Sequence, residues 1–131
     1  NCNIMSGAMI PGLNDHEIPN IMEAASKAGA RSAGFTMVRL NGQIGQVFEH
    51  WVKKAFPDRA TKILNQIKGA HGGQLNDSRF GKRMQGEGIM VESIHKLFAI
   101  SKTKYFGNSH HRPPLRTDLF VKTKRGQMGL F

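Results

Sequence analysis

Residues able to do chemistry are few in this chain, and most of their spacings fail the reaction they suggest. His16-Glu17 opens like the HExxH helix of zinc hydrolases, where two histidines on one helix face hold the metal, but position 20 is Asn20. Gly81-Lys82 matches the end of a phosphate-cradling P-loop, yet Asn76 and Arg83 stand where glycine and Ser/Thr are required. Gly86-Glu87-Gly88 follows no strand and lacks the third glycine of a dinucleotide fingerprint. His110-His111 has no cysteine or carboxylate beside it to complete a metal site. Cys2 is the only cysteine, which excludes an internal disulfide framework and any CxxC metal site within the chain. Asn76-Asp77-Ser78 is formally a glycosylation sequon, relevant only to a secreted chain. No hydrolytic triad can be assembled.

One segment survives this sieve. Met9-Ile10-Pro11-Gly12-Leu13-Asn14-Asp15 follows an apolar run, Ile4 to Ile10, that reads as a strand stopped by proline and glycine. Asn14 and Glu17 have the spacing of a capping box, and Ile18, Ile21, Met22, Ala25 and Ala28 recur at helical intervals up to Gly29. Pro19 is late for a first turn capped by Asn14, so the helix start can slip by a residue or two. Arg31 to Leu40 is a second, nearly continuous apolar run, as in a parallel strand buried on both faces. Strand, helix and strand make a βαβ unit, which puts the Met9–Asp15 turn and Val38-Arg39-Leu40 at one sheet edge. Ligands of parallel α/β sheets bind at that edge. Pro-Gly-Leu-Asn-Asp serves equally well as a plain turn and helix cap.

Beyond this unit, Ile44, Val47, Phe48, Trp51, Val52 and Ala55 predict an amphipathic helix with Trp51 in the core. Asp58 is placed to cap the next, whose apolar face is Ala60, Ile63, Leu64 and Ile67. The stretch HGGQLNDSRFGKRMQGEG, from His71 to Gly88, has no periodicity and reads as a long loop of the kind that is functional or mobile. Met90, Val91, Ile94, Leu97 and Phe98 mark a last helix, and from Tyr105 the chain is expected to be irregular. The fold class is therefore α/β.

The 131 residues carry 19 Lys+Arg against 9 Asp+Glu, a net charge of +10. Residues 1–78 hold 8 basic and 6 acidic side chains, whereas residues 79–131 hold 11 and 3. Such a basic C-terminal half suits a polyanionic partner, DNA or RNA. No apolar run is long enough to span a bilayer, and Asn1-Cys2-Asn3-Ile4 has no basic signal-peptide region, so a cytoplasmic protein is expected.

The PGLNDHEI turn, the run AGARSAGFTMVRL, the loop GGQLNDSRFGKRMQGEG, the element LRTDLF and the closing GQMGLF together resemble one family. They look like the C-terminal part of radical S-adenosylmethionine (radical SAM) proteins of the DNA-repair-photolyase-like group, related to spore photoproduct lyase. The resemblance implies a partial (β/α) barrel, with late βα units over residues 1–70 and a group-specific loop, helix and basic extension over 71–131. It further implies a 4Fe–4S cluster held by a CxxxCxxC loop and SAM bound to that cluster. This sequence has only Cys2, so neither group is expected to be held by this chain alone, and catalysis needs an N-terminal part of the same polypeptide. Carried over by position, Met9, Pro11, Gly12 and Asn14, with Val38, Arg39 and Leu40, match the strand ends near SAM. Arg79, Lys82, Arg83 and Arg116 match elements assigned to substrate or phosphate contacts. Asp77 and Arg79 would equally suit an internal ion pair that pins the loop. An open sheet edge, where upstream strands would pair, invites dimerisation.

Overall fold

The computed structural model describes residues 2–107 and 117–119. Arg116, the His110-His111 pair and most of the basic tail lie outside the described residues. Within them the order is β1 (Asn3–Met9), a 3-10 turn (Asp15–Glu17), α1 (Ile18–Lys27), β2 (Ser32–Met37), α2 (Gln43–Ala55), α3 (Ala60–Ala70) and α4 (Ile89–Phe106). The architecture is mixed α/β around a two-stranded parallel sheet.

β1 and β2 pair in parallel from Asn3–Ser32 to Gly7–Thr36, and the register then shifts so that Met9 lies beside Met37. One face carries Ile4, Ala33, Phe35, Met9 and Met37 against α1 and α4. On the other, Met5 is 69% exposed and lies across Gly34, where a Cβ would sit 3.2 Å from its Cε. The continuous apolar run of 31–40 therefore does not mean burial on both faces. β2 alternates like a half-covered strand and ends at Met37, three residues before the expected Leu40.

The start of α1 corrects the expected capping box. Pro19 has no N–H and fits only a first turn, so the helix begins at Ile18 without any side-chain cap. Asn14 is used differently: its Oδ1 accepts the Ile10 N–H at 2.7 Å and its Nδ2 donates to the Ala8 carbonyl at 3.1 Å. α1 buries Ile18 and Met22, and Gly29, at φ +84°, closes it. α4 lies along α1 and buries Val91, Ile94 and Phe98. The Phe98 ring sits 4.5 Å from that of Phe35, and Ser26 Oγ donates to the Tyr105 carbonyl at 2.8 Å. These contacts continue the helix through Phe106, past the point where irregular chain was expected.

α3 follows its pattern: Ala60, Ile63, Leu64 and Ile67 are all buried, while Ala70 joins the core under the sheet. No Asp58 cap forms; the helix starts after Arg59. α2 departs most. Val52 is buried and Phe48 partly so, but Ile44, Val47 and Trp51 (44% exposed) line an open apolar face. α2 packs chiefly on α3, which covers one side of it and leaves the Trp51 side bare. Among the described residues no helix is long and apolar enough to cross a membrane.

Packing predicts a sharp contrast between two aliphatic truncations. Ile67→Ala, at a fully buried position, should destabilise by about 2–5 kcal/mol. Val47→Ala, on the open face of α2, should change stability by no more than about 0.5 kcal/mol. Urea unfolding followed by circular dichroism reads both.

Candidate functional site

Backbone hydrogen bonding brings the two strand-end segments together. The Val38 N–H donates to the Met9 carbonyl at 2.9 Å, just beyond the last paired residues. After Met9 the chain turns at once: the Leu13 and Asn14 amides both donate to the Ile10 carbonyl. Gly12 makes this turn at φ +74°, a conformation that favours glycine, and the end of the Gln66 side chain lies where a Cβ would be. Arg59 Nη2 donates to the Gly12 carbonyl at 2.5 Å and ties the turn to the start of α3.

Of the residues matched to the cofactor side, Met9, Pro11, Val38 and Leu40 are buried. Their side chains belong to the core, and these segments face outward with main chain, Asn14 and Arg39. The Nε of Arg39 is buried and has no hydrogen-bond partner among the described residues.

The His71–Gly88 loop is held by charge and by reverse turns. Asp77 is 5% exposed and takes Arg79 side-on: Nε lies 3.0 Å from each carboxylate oxygen and Nη2 lies 2.6 Å from Oδ2. The Arg79 backbone N–H adds a 2.8 Å bond to Oδ1. Arg79 Nη2 also approaches Glu87 Oε2 at 3.4 Å, and Lys82 forms an ion pair with Glu87. The Arg79 carbonyl accepts from Lys82 and Arg83 and the Lys82 carbonyl from Gln85 and Gly86, winding the basic segment into consecutive turns. The Arg83 guanidinium lies 5.6 Å from the centre of the Phe80 ring.

His71 joins the two regions. It is 3% exposed, and its Nε2 lies 2.6 Å from the Val38 carbonyl. A carbonyl only accepts, so Nε2 is the protonated ring nitrogen and donates. Nδ1 is buried without a partner among the described residues. Beside His71 opens a polar cavity of about 330 Å³, lined by Gly72, Gln74, Asn76, Ser78, Arg79 and Glu87 among others.

Strand ends and loop are therefore neighbours, linked by His71 on the Val38 carbonyl and by the Met37 N–H, which donates to the Met84 carbonyl at 2.9 Å. Arg79 and Lys82, expected to face a substrate, are also engaged with carboxylates of their own loop, which is the internal pin that the Asp77–Arg79 spacing allowed. Sequence reasoning gave no role to His71, Gln66 or Glu87. The partner of His71 lies 33 residues away, Gln66 approaches the Gly12 turn from another element, and no spacing rule reports such approaches. Among the described residues no three His, Cys, Asp or Glu side chains group as a metal site. No family model, curated protein or solved structure matches this chain.

The hydrogen bonds from Arg79, side chain first and then backbone, hold the Asp77 carboxyl at about 2, below its ordinary 3.8. Lys82 and Arg79 likewise lower Glu87, the Lys82 hydrogen bond most. A carboxyl whose pKa falls on folding stabilises the fold above its unfolded value, and that contribution is lost as pH drops through the folded one. The loop should therefore stay pinned at pH 5 and above and loosen between about pH 4 and pH 2. Amide exchange at Arg79, Arg83 and Gly86 should accelerate, relative to the intrinsic rate, over that window before it does in α3. Equal protection in the loop at pH 5 and pH 2.5 would contradict the pin.

Proposed function

We propose that this chain is the C-terminal βα portion of a radical SAM enzyme of the DNA-repair-photolyase-like group. In this reading its strand ends help frame the SAM site, its basic loop borders the substrate, and it has no activity alone. The supporting observation is the stitched pair of strand ends: Val38 bonded to Met9 at the mouth of a parallel βαβ unit, with the PGLND turn and Arg39 at the same edge. The outer edge of β1, which no other strand pairs among the described residues, agrees with a sheet that continues on that side, whereas the Met84 carbonyl of the loop already takes the Met37 N–H at the β2 edge.

The residues present do not fit the iron–sulfur cluster. Its thiolates must come from elsewhere, because Cys2 is the only cysteine and lies exposed at the start of β1. The fit to SAM is better. The observation that bears on it is the buried Arg39 Nε, a donor with no partner among the described residues, which an oxygen of the cofactor would satisfy. When bound, that cofactor would supply the hydrogen-abstracting radical. The chain's own residues shape and orient: Asn14 and Gly12 fix the turn, and His71 fixes the Val38 carbonyl.

A non-catalytic nucleic-acid-binding module is the alternative, favoured by the concentration of positive charge in residues 79–131. The pairing of Arg79 and Lys82 within the loop removes two of its cations from that count, which leaves the enzyme reading stronger.

The two readings separate on cofactor binding. Under anaerobic iron–sulfur reconstitution this chain alone should acquire no cluster absorbance and cleave no SAM. A longer polypeptide that carries this chain behind a CxxxCxxC segment should do both, and Arg39→Ala should weaken its SAM affinity about tenfold, the loss of one charge-assisted hydrogen bond. SAM affinity unchanged by Arg39→Ala, or a natural reading frame without the three cysteines, would overturn the assignment.

A further inference from the structure

Asn41-Gly42 is the only Asn-Gly pair in the chain, and it stands at the junction between the second strand end and α2. Leu40 before it is buried in the core, and α2 begins after it at Gln43. Both residues of the pair are exposed. The Asn41 side chain and the Gly42 N–H make no hydrogen bond among the described residues. Their carbonyls are the groups in use: that of Asn41 accepts the Ile44 N–H at 3.1 Å, and that of Gly42 accepts the Gly45 N–H at 3.3 Å. No other atom lies within 4 Å of where a Gly42 Cβ would stand. A side-chain amide with no partner is thus followed by a free main-chain nitrogen that no Cβ obstructs. The other described asparagines are restrained. Asn3, Asn20 and Asn65 lie in β1, α1 and α3, whose regular dihedrals fix the next nitrogen. Asn14 uses both ends of its amide, and the Oδ1 of Asn76 is buried. None of these is followed by glycine.

We propose that Asn41 is a site of spontaneous deamidation. The Gly42 nitrogen attacks Asn41 Cγ and passes its proton to the side-chain nitrogen, which leaves as ammonia, and a succinimide ring remains. Water then opens the ring. Breaking the new bond between the Gly42 nitrogen and Cγ gives aspartate. Breaking the original peptide bond gives isoaspartate, with the main chain rerouted through the side chain. An amide and water become a carboxylate and ammonium, with no change of oxidation state and no reactant besides water. The place of the pair gives each product a consequence. α2 starts without a side-chain cap and without an acidic residue in its first turn, so a carboxylate at position 41 supplies the negative charge its N-terminus lacks. Isoaspartate instead takes out of the main chain the carbonyl that holds the Ile44 N–H, and unties the first turn of α2 from the strand end. Neither consequence depends on the enzyme reading above.

The test is incubation of the full chain in mildly alkaline buffer, followed by trypsin digestion and mass spectrometry of the peptide 40–53, beside a synthetic peptide of the same sequence. Asn41 in the folded chain should convert within about tenfold of the free-peptide rate, because neither its side chain nor the next nitrogen is held. Asn14, Asn65 and Asn76 should convert more slowly than Asn41. Two product peaks of equal mass should appear, of which an endoprotease that cuts before aspartate cleaves only one. Asn41→Gln keeps Gly42 in place but needs a larger ring, and should abolish the reaction. Gly42→Ala should slow it about tenfold, through the added Cβ. Amide exchange at Ile44 should stay slow in Asn41→Asp and accelerate in the isoaspartate form purified from aged protein. A folded-state rate more than about tenfold below that of the peptide, or conversion no faster at Asn41 than at Asn76, would overturn the proposal. Neither result bears on SAM binding at the strand ends, so the two readings fail separately.

Discussion

Parallel strands cannot be joined by a tight turn, and this constraint organises the whole molecule. β1 and β2 need a crossover, and the crossover must lie on one face of the sheet, so α1 covers Met9, Ala33 and Met37. Because both strands run the same way, their C-terminal ends meet, and the Val38 N–H reaches the Met9 carbonyl. Everything with chemical interest is attached to that meeting point. The PGLND turn leaves it on one side, Arg39 on the other, and His71 grips the Val38 carbonyl from beyond. α4 completes the cover of the sheet by packing along α1, so the residues after the loop are as much part of this core as those before it.

Periodicity located the elements well where their partners were regular. The spacing Ala60, Ile63, Leu64 and Ile67 is a full helical face, and all four residues are buried because α3 meets apolar neighbours along that face. The βαβ unit was also legible, since Pro11-Gly12, Gly29 and Asn41-Gly42 punctuate it. The same rule misled at α2. Trp51 keeps the helical interval with Phe48 and Val52, but periodicity reports which residues share a face and is silent on whether anything covers it. At Asn14, two local rules competed. The capping-box spacing called for a helix cap, while the absence of an N–H on Pro19 delayed the helix to Ile18 and freed the Asn14 side chain to staple the turn.

The loop shows the same division between local and distant information. Asp77 and Arg79 are two residues apart, and their ion pair could be read as one of two options from the sequence. His71 and Val38, 33 positions apart, meet only because α2 and α3 fold back and return the chain to the strand ends. Such a contact depends on the tertiary path, so the buried histidine carried no signal of its own. His71 thus lies between the Val38 carbonyl, which its Nε2–H meets, and the cavity that Asp77 and Arg79 also line.

The bare face of α2 has a practical side. Trp51 is the sole tryptophan of the chain, it is nearly half exposed, and its ring lies 5.5 Å from Phe48 and 5.7 Å from Phe56. The indole therefore sits at a boundary between water and an aromatic cluster, where its emission colour follows the polarity around it. The molecule carries its own optical probe, positioned on the surface that its interior leaves uncovered, beside an apolar cluster that Leu75 of the loop also joins.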